Sequence, residues 1–564
     1  MASEGRPRPA ATLRVGIRVA ADDAAAAEAC LAAIAGAAAD AIAAAGAAFA
    51  PGAPVLRLIC TLPDDIAVAR AAAAAGWHSE GIAVRATDDR PAVPTMILGD
   101  AATDADDPAA RRAMADRILV AHSDLIVIAA MAPGSRHLVA EAACAGVPVV
   151  RLRPADDTAW AVEDGLAAST GDLASVVRGL LAPPPGDGLR RFYDEPWRAG
   201  SHWVAYEWLG LLTGRRPSGW RRIDYGGSDA ARSEAWAAFL APVAGRIGRL
   251  EDGLRDVLRE RFLRADNLAL HLGHVYRSAY VLGFALAALA VLVGVVAAEA
   301  QDMARSVLLV LELAIIAGIT TLTRVGRRRR WHRRWLDCRR LAEILRLARL
   351  RALTGQARPP APGSGSDPTG AWVDWYARAT LRELPLPDGE VDRARLHAIV
   401  HAALDGEIGD PELGSGEIGY HSRSRDRLAL LDRRLDLAGA LSFALTAMVA
   451  VGLLALAAGE RLRPGLGAAL AGWEPAATLL VAGFPAIGAA LAGIRAQGEF
   501  RFLAERSTAT RAALLAIRAR LLHTLRDPTL EAVDRDLTAA TDAMGGDVEG
   551  WQLVYRARDL TLPG

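Results

Sequence analysis

Apolar positions fall into two regimes along the chain. In the first third they come as short runs, at residues 13–20, 55–60, 125–129 and 147–152, separated by Ala-rich stretches at 24–48, 67–75, 109–121 and 137–145. Short continuous apolar runs read as strands buried on both faces, and the longer stretches between them as helices. Strands alternating with helices predict a parallel, doubly wound sheet. A last helix at 172–181 and the sequence Pro183-Pro184-Pro185-Gly186 close this unit.

The second regime is one of long runs. Residues 281–298 and 437–459 carry no charge, 307–323 are interrupted only by Glu312, and 476–494 are again uncharged. A helix crossing the hydrocarbon needs roughly 20 apolar residues, so these predict four transmembrane helices in two hairpins. Arginine sets their orientation. Fourteen arginines flank the spans on one side, among them Arg264, Arg277, Arg324, Arg327, Arg433 and Arg495, against Arg305, Arg461 and Arg463 in the two short opposite loops. Positive charge stays in the cytoplasm, so both termini are expected there and the protein in an inner (plasma) membrane.

The expected fold class is therefore an α/β Rossmann-like N-terminal domain plus an all-α membrane region with four transmembrane helices and long cytoplasmic helices. The expected units are 12–182 (α/β domain), 189–278 (aromatic-rich connecting helical region), 279–355 (first hairpin with trailing helix), 356–370 (linker QARPPAPGSGSDPTG), 371–436 (cytoplasmic helical segment), 437–525 (second hairpin with trailing helix) and 526–564 (C-terminal cytoplasmic tail). Residues 230–274 read as one long helix feeding the first span, and the trailing helices as 327–353 and 495–525. The two halves share a pattern, which points to duplication. Trp197, Trp203, Trp208 and Trp220 crowd together beside Phe192, Tyr193, Tyr206 and Tyr225. They read either as a belt on the membrane surface or as the core of a connecting subdomain.

Composition changes the picture in two ways. Lysine is absent and all 65 basic residues are arginine, balanced by 65 acids to zero net charge, so no global excess favours a nucleic-acid partner. The four cysteines, Cys30, Cys60, Cys144 and Cys338, are far apart, which indicates neither a disulfide framework nor a zinc site. The N-terminus MASEGRPRPA has no apolar leader run.

The segments LRVGIRVA, LRLICTLPDDIAVARAAAAAGW and DLIVIAAMAPGSRHLVAEAACAGVPVVRL resemble the SLOG-like Rossmannoid family. The hairpins with trailing helices, entered by GYHSRSRDRLALLDRRLDLAG and left by AALAGIRAQGEFRFLAERS, resemble SLATT two-helix membrane effectors, which accompany such sensors in bacterial conflict and nucleotide-signalling systems. The resemblance implies a Gly-containing phosphate loop after the first strand and a Gly-Gly-Thr type loop after an apolar strand. It places nucleotide binding at Gly16, Gly134, Ser135, Arg136 and Glu141, the last with a base role in a related family of phosphoribohydrolases. The match is incomplete: no second glycine follows Gly16, Asp22 and Asp23 would repel a phosphate, and Pro133-Gly134-Ser135-Arg136 stands for the second loop.

Other candidates follow from the residues themselves. Glu312 is the acid inside a span, lining a pore or helix interface or else reaching headgroups. Pro485 removes a backbone donor in the fourth span and should bend or hinge it. His397 and His401, four apart, lack the acid and third ligand of a metal site; these and His271 and His274 read as exposed helix histidines, so no metal is expected. Three functions remain open. The first is a sensor–effector, homo-oligomeric in the bilayer, whose nucleotide-type ligand controls the hairpins and opens a pore. The second is a membrane-tethered nucleotide- or NAD-processing enzyme using Glu141 as its catalytic base, and the third a non-catalytic scaffold. No resident cofactor is implied beyond a nucleotide ligand.

Overall fold

The computed structural model describes residues 8–19, 23–84, 93–103, 107–129, 135–152, 160–163, 172–216, 219–358, 370–462 and 474–556. Seven strands come from the first part of the chain: β1 (Thr12–Arg18), β2 (Val55–Leu62), β3 (His78–Ala83), β4 (Thr95–Ile97), β5 (Leu125–Ala129), β6 (Val149–Leu152) and β7 (Trp160–Glu163). A separate ribbon pairs β8 (Gly200–Ser201) with β9 (Ile223–Asp224). The main sheet runs in the order β10-β4-β3-β2-β1-β5-β6-β7, parallel except for β7. Its outermost strand, β10 (Gly389–Glu390), arrives from between the two apolar hairpins and pairs with Met96 and Ile97. β1 and β5 are buried along their whole length, as central parallel strands covered by helices on both faces must be.

The covering helices are α1 (Ala24–Ala45), α2 (Ile66–Ala74), α3 (Pro108–Ala121), α4 (Ser135–Ala145) and α5 (Leu173–Leu181). Ala27, Cys30, Leu31, Ile34, Ala38 and Ala41 form the buried stripe of α1, at the three-to-four spacing of one helix face. α3 starts sharply because Asp107 accepts the Ala109 N–H at 2.9 Å and Pro108 needs no donor at the first position.

The connecting region holds α6 (Gly188–Asp194), α7 (Ala205–Trp208) and α8 (Gly226–Leu240). Phe192, Tyr193 and Tyr225 are core residues, as a connecting subdomain requires, whereas Trp197, Trp208 and Trp220 are 46%, 45% and 63% exposed. The single helix expected over 230–274 is instead broken after Leu240 by Pro242 and by Gly245 and Gly248, whose φ angles are +70° and +55°. The chain resumes as α9 (Leu250–Asp252), which passes through a π-helical turn, Gly253–Leu258, into α10 (Arg259–Glu299).

The helical part continues with α11 (Asp302–Arg328), α12 (Trp331–Leu353), α13 (Ala371–Leu381), α14 (Arg393–Ala403), α15 (Gly416–Leu462), α16 (Glu474–Gly498), α17 (Phe500–Thr524) and α18 (Leu530–Arg556). Five helices are long and apolar enough to cross a membrane: α1, α10, α11, α15 and the helix beginning at α16. The trailing helices differ from the expected continuous ones. A left-handed residue, Arg330 (φ +50°) in one half and Glu499 (φ +48°) in the other, separates each hairpin from the helix that follows. Each trailing helix then folds back along the entry helix of its own half, α12 on α10 and α17 on α15. Between the apolar helices the main packing contacts run α11–α10–α16–α15, a row with α11 and α15 at its ends. Glycines seat the crossings: Phe284 fills the notch at Gly493 and Phe443 packs on Gly488.

Candidate functional site

In a parallel sheet whose helices diverge to opposite faces, a crevice opens beyond the carboxyl ends of the strands where the order reverses. Here that place lies between β1 and β5. Gly134 of the second loop lies outside the described residues, as do Asp22 and Pro133. Ser135 is the first residue of α4 and is buried, and Arg136 is exposed on the same turn, so a hydroxyl and a cation stand at the start of the helix that follows β5. Gly16 is not part of this group. It sits in the middle of β1, paired with Ile59 and Ile126, and its missing side chain leaves room for Ser123.

Behind the crevice runs a chain of polar side chains that motif reading did not single out. The Arg18 guanidinium donates to Thr61 Oγ1 at 2.9 Å and to Asp116 Oδ1 at 2.6 Å. The other oxygen of Asp116 meets His137 Nδ1 at 3.0 Å, and His137 Nε2 lies 3.8 Å from Glu141 Oε1. Arg18 and Asp116 are almost fully buried, while His137 and Glu141 reach solvent. Asp65 accepts the Val19 N–H at 2.9 Å and the Thr61 N–H at 3.0 Å, tying the ends of β1 and β2 together. Burial pushes the Asp65 carboxyl up to about 6 against those two hydrogen bonds. A buried ion pair that hands its carboxylate to a half-exposed imidazole can orient a ligand and hold or pass a proton at Nε2. The signal for it lay in two oddities, arginines at 14 and 18 in a buried central strand and an aspartate on the buried face of α3.

α3 also faces the helical half. Met114 and Ile118, on either side of Asp116, touch the end of α12: Gln356 Nε2 lies 3.4 Å from Met114 Sδ, and Gly355 (φ +73°) packs against Ile118 and Met96. Arg358, just beyond, feels the charge of Glu141. At the opposite, amino ends of the strands, Arg14 of β1 donates to the Leu381 and Leu384 carbonyls, Arg382 donates to Asp124 Oδ1 at 2.8 Å, and Glu383 pairs with Arg261 of α10 at 2.7 Å.

The two membrane candidates lie elsewhere. Glu312 points from α11 at Gly294 of α10, where an added Cβ would come within 2.9 Å of its Oε1. Pro485 lies inside α16, which continues through it between the notches at Gly483 and Gly488. His271 and His274 are half-buried rather than exposed, each with its ring against Tyr225, and burial pulls them down to about 4 and about 3. His397 is half-buried on α14, and His401 is exposed with its Nδ1 3.6 Å from Asp405. Among the described residues no three His, Cys, Asp or Glu side chains cluster as metal ligands. No family model, curated protein or solved structure matches this chain.

Proposed function

We propose that the protein is a membrane-embedded sensor–effector, in which a nucleotide-type ligand at the crevice between β1 and β5 biases the packing of four transmembrane helices, α10, α11, α15 and α16. The fifth apolar helix, α1, lies within the chain segment of the sheet and packs on α2 and α5, which supports assigning the other four to the bilayer. The arginine bias puts the sheet and both termini on the cytoplasmic side of a bacterial-type inner membrane. The apolar side chains of α11 and α15 that face outward, such as Val310 and Leu454 at 68% and 71% exposed, suit contact with lipid or with further copies in a pore-forming oligomer.

One observation carries the coupling: α3 holds Asp116 of the crevice on one side and the exit of α12 on the other. A ligand that reads His137, Arg136 and Glu141 therefore acts one helix away from a membrane-linked element. It shifts the hairpins only as far as it binds their two arrangements with different affinity. The test uses the full chain in liposomes and in detergent. Mono-, di- or cyclic nucleotides should raise the melting temperature and change ion flux. Unchanged melting with every nucleotide, together with silent planar-bilayer recordings, would defeat the proposal.

The contact of Glu141 with His137 favours a second reading, a nucleotide-processing enzyme. Turnover by the wild type that disappears in Glu141→Ala supports it, and equal turnover in both removes Glu141 from the chemistry.

A further inference from the structure

Where the two halves of the helical region meet, a cavity of about 340 Å³ is walled by α10 and α12 of the first half and by α15 and α17 of the second. It shares Tyr206, Leu270, Arg277 and Arg427 with a neighbouring cavity of about 170 Å³. Arginines dominate the polar lining: Arg277, Arg339, Arg427 and Arg506 in the larger space, with Arg215 and Arg216 added in the smaller. The acid in the larger space, Asp266, is already held by Arg232 at 2.8 Å and Arg339 at 3.4 Å. The smaller space adds one acid, Glu207, so six arginines face two acids and positive charge is left over. Arg277 is fixed in place, its guanidinium 5.0 Å from the ring centres of both Tyr206 and Trp335. The buried Nδ1 atoms of His421 and His274, one in each cavity, have no hydrogen-bond partner among the described residues.

Height matters as much as charge. Arg277 stands four residues before the apolar run that starts at 281, and Gly498 four residues after the run that ends at 494. With a rise of about 1.5 Å per residue, the mouth lies directly beneath the cytoplasmic headgroups. Basic clefts between helices at this level suit phosphate groups, which arginine binds in bidentate fashion.

We infer that this seam is a binding site for a phosphate-bearing anion, whose occupancy joins the two halves of the helical region. The inference rests on the four-span reading, since that sets the cavity at the membrane surface. The same chemistry is offered by an anionic phospholipid headgroup and by a soluble phosphate compound.

The experiment melts the full chain in neutral detergent with added phosphatidylglycerol, with added pyrophosphate, and with phosphatidylcholine as control. It repeats the titrations with Arg427→Gln, with Arg216→Gln, and with Arg501→Gln, whose exposed arginine lies on α17 outside the cavity. Phosphatidylglycerol or pyrophosphate should stabilise the wild type where phosphatidylcholine does not. Each cavity variant should weaken the apparent affinity about fivefold, and Arg501→Gln should leave it unchanged. Stabilisation by the lipid alone assigns the site to a headgroup, and by pyrophosphate alone to a soluble ligand. Absence of both effects, or equal weakening by Arg501→Gln, overturns the inference. Carbonate extraction of the expressing membranes separates the two layers of the argument: a chain that stays in the membrane pellet and responds to neither probe sinks the site alone, and a chain released into the aqueous phase sinks the four-span reading.

Discussion

Asp65 lies 1% exposed behind the ends of β1 and β2, and its two backbone hydrogen bonds do not make up for the water it has lost. Its carboxyl is raised from an ordinary 3.8 to about 6, so the folded state holds the proton more tightly than the unfolded chain does. The stability this proton confers is full below about pH 4 and is lost as pH rises through about 6. Asp65→Asn should therefore gain on the wild type across that window, by on the order of 2 kcal/mol. Melting of the two proteins in detergent from pH 4 to pH 7 checks this; a pH-independent difference would mean that the group is not shifted. Of the crevice residues, Ser135, Arg136 and Glu141 could be read from their neighbours in the chain. The link among Arg18, Asp116 and His137 could not, because it spans 98 and 21 positions and only the folded sheet brings them together.

At the scale of elements, legibility followed apolar length. The strands at β1, β2, β5 and β6 stand out in the sequence because they are mostly apolar, as burial within the sheet demands, and the four long runs stand out by length. β3, HSEGIA, does not, since it buries Glu80 in the sheet and satisfies it with Arg57 at 2.7 Å and the Leu386 N–H at 2.9 Å. β10 is two residues long and carries no pattern at all. The expected tail instead holds α18, whose Leu530, Val533, Leu537, Ala540 and Met544 form a buried stripe at helical spacing. The left-handed turns at Arg330 and Glu499 had no signature, because neither residue type favours that conformation. Both are strained by roughly 1 kcal/mol, and glycine removes that strain. Arg330→Gly and Glu499→Gly should each stabilise the protein by about 1 kcal/mol, measured by reversible unfolding in mixed micelles. Destabilisation by either would show that its side chain matters more than its backbone, and unequal signs would weaken the equivalence of the two halves.

For the whole molecule, the sheet and the helical region form one structure. Arg261 of α10 grips Glu383, Arg382 grips Asp124, and α12 ends on α3, so the helical region touches the sheet unit at both ends of its strands. Composition closes the sheet unit at Pro183-Pro184-Pro185-Gly186; the residues that sew it to the helical region are scattered arginines, which an arginine-only basic complement makes inconspicuous. The seam cavity was invisible for the same reason.

The strand at Gly389–Glu390 has a consequence for how the protein is made. A nascent chain that has delivered residues 1–182 from the ribosome still lacks the strand that covers β4 and the arginine that neutralises buried Asp124. Both emerge only after the first apolar hairpin, α10 and α11, has been made. On the proposed four-span arrangement, biogenesis is then obliged to hold an unfinished sheet open while the first two spans insert. A gene fragment encoding residues 1–182 alone should yield protein that proteases cut rapidly and that chaperones retain, whereas co-expression with residues 189–564 should restore resistance. A soluble, protease-resistant fragment would show that the sheet closes without help from the rest of the chain.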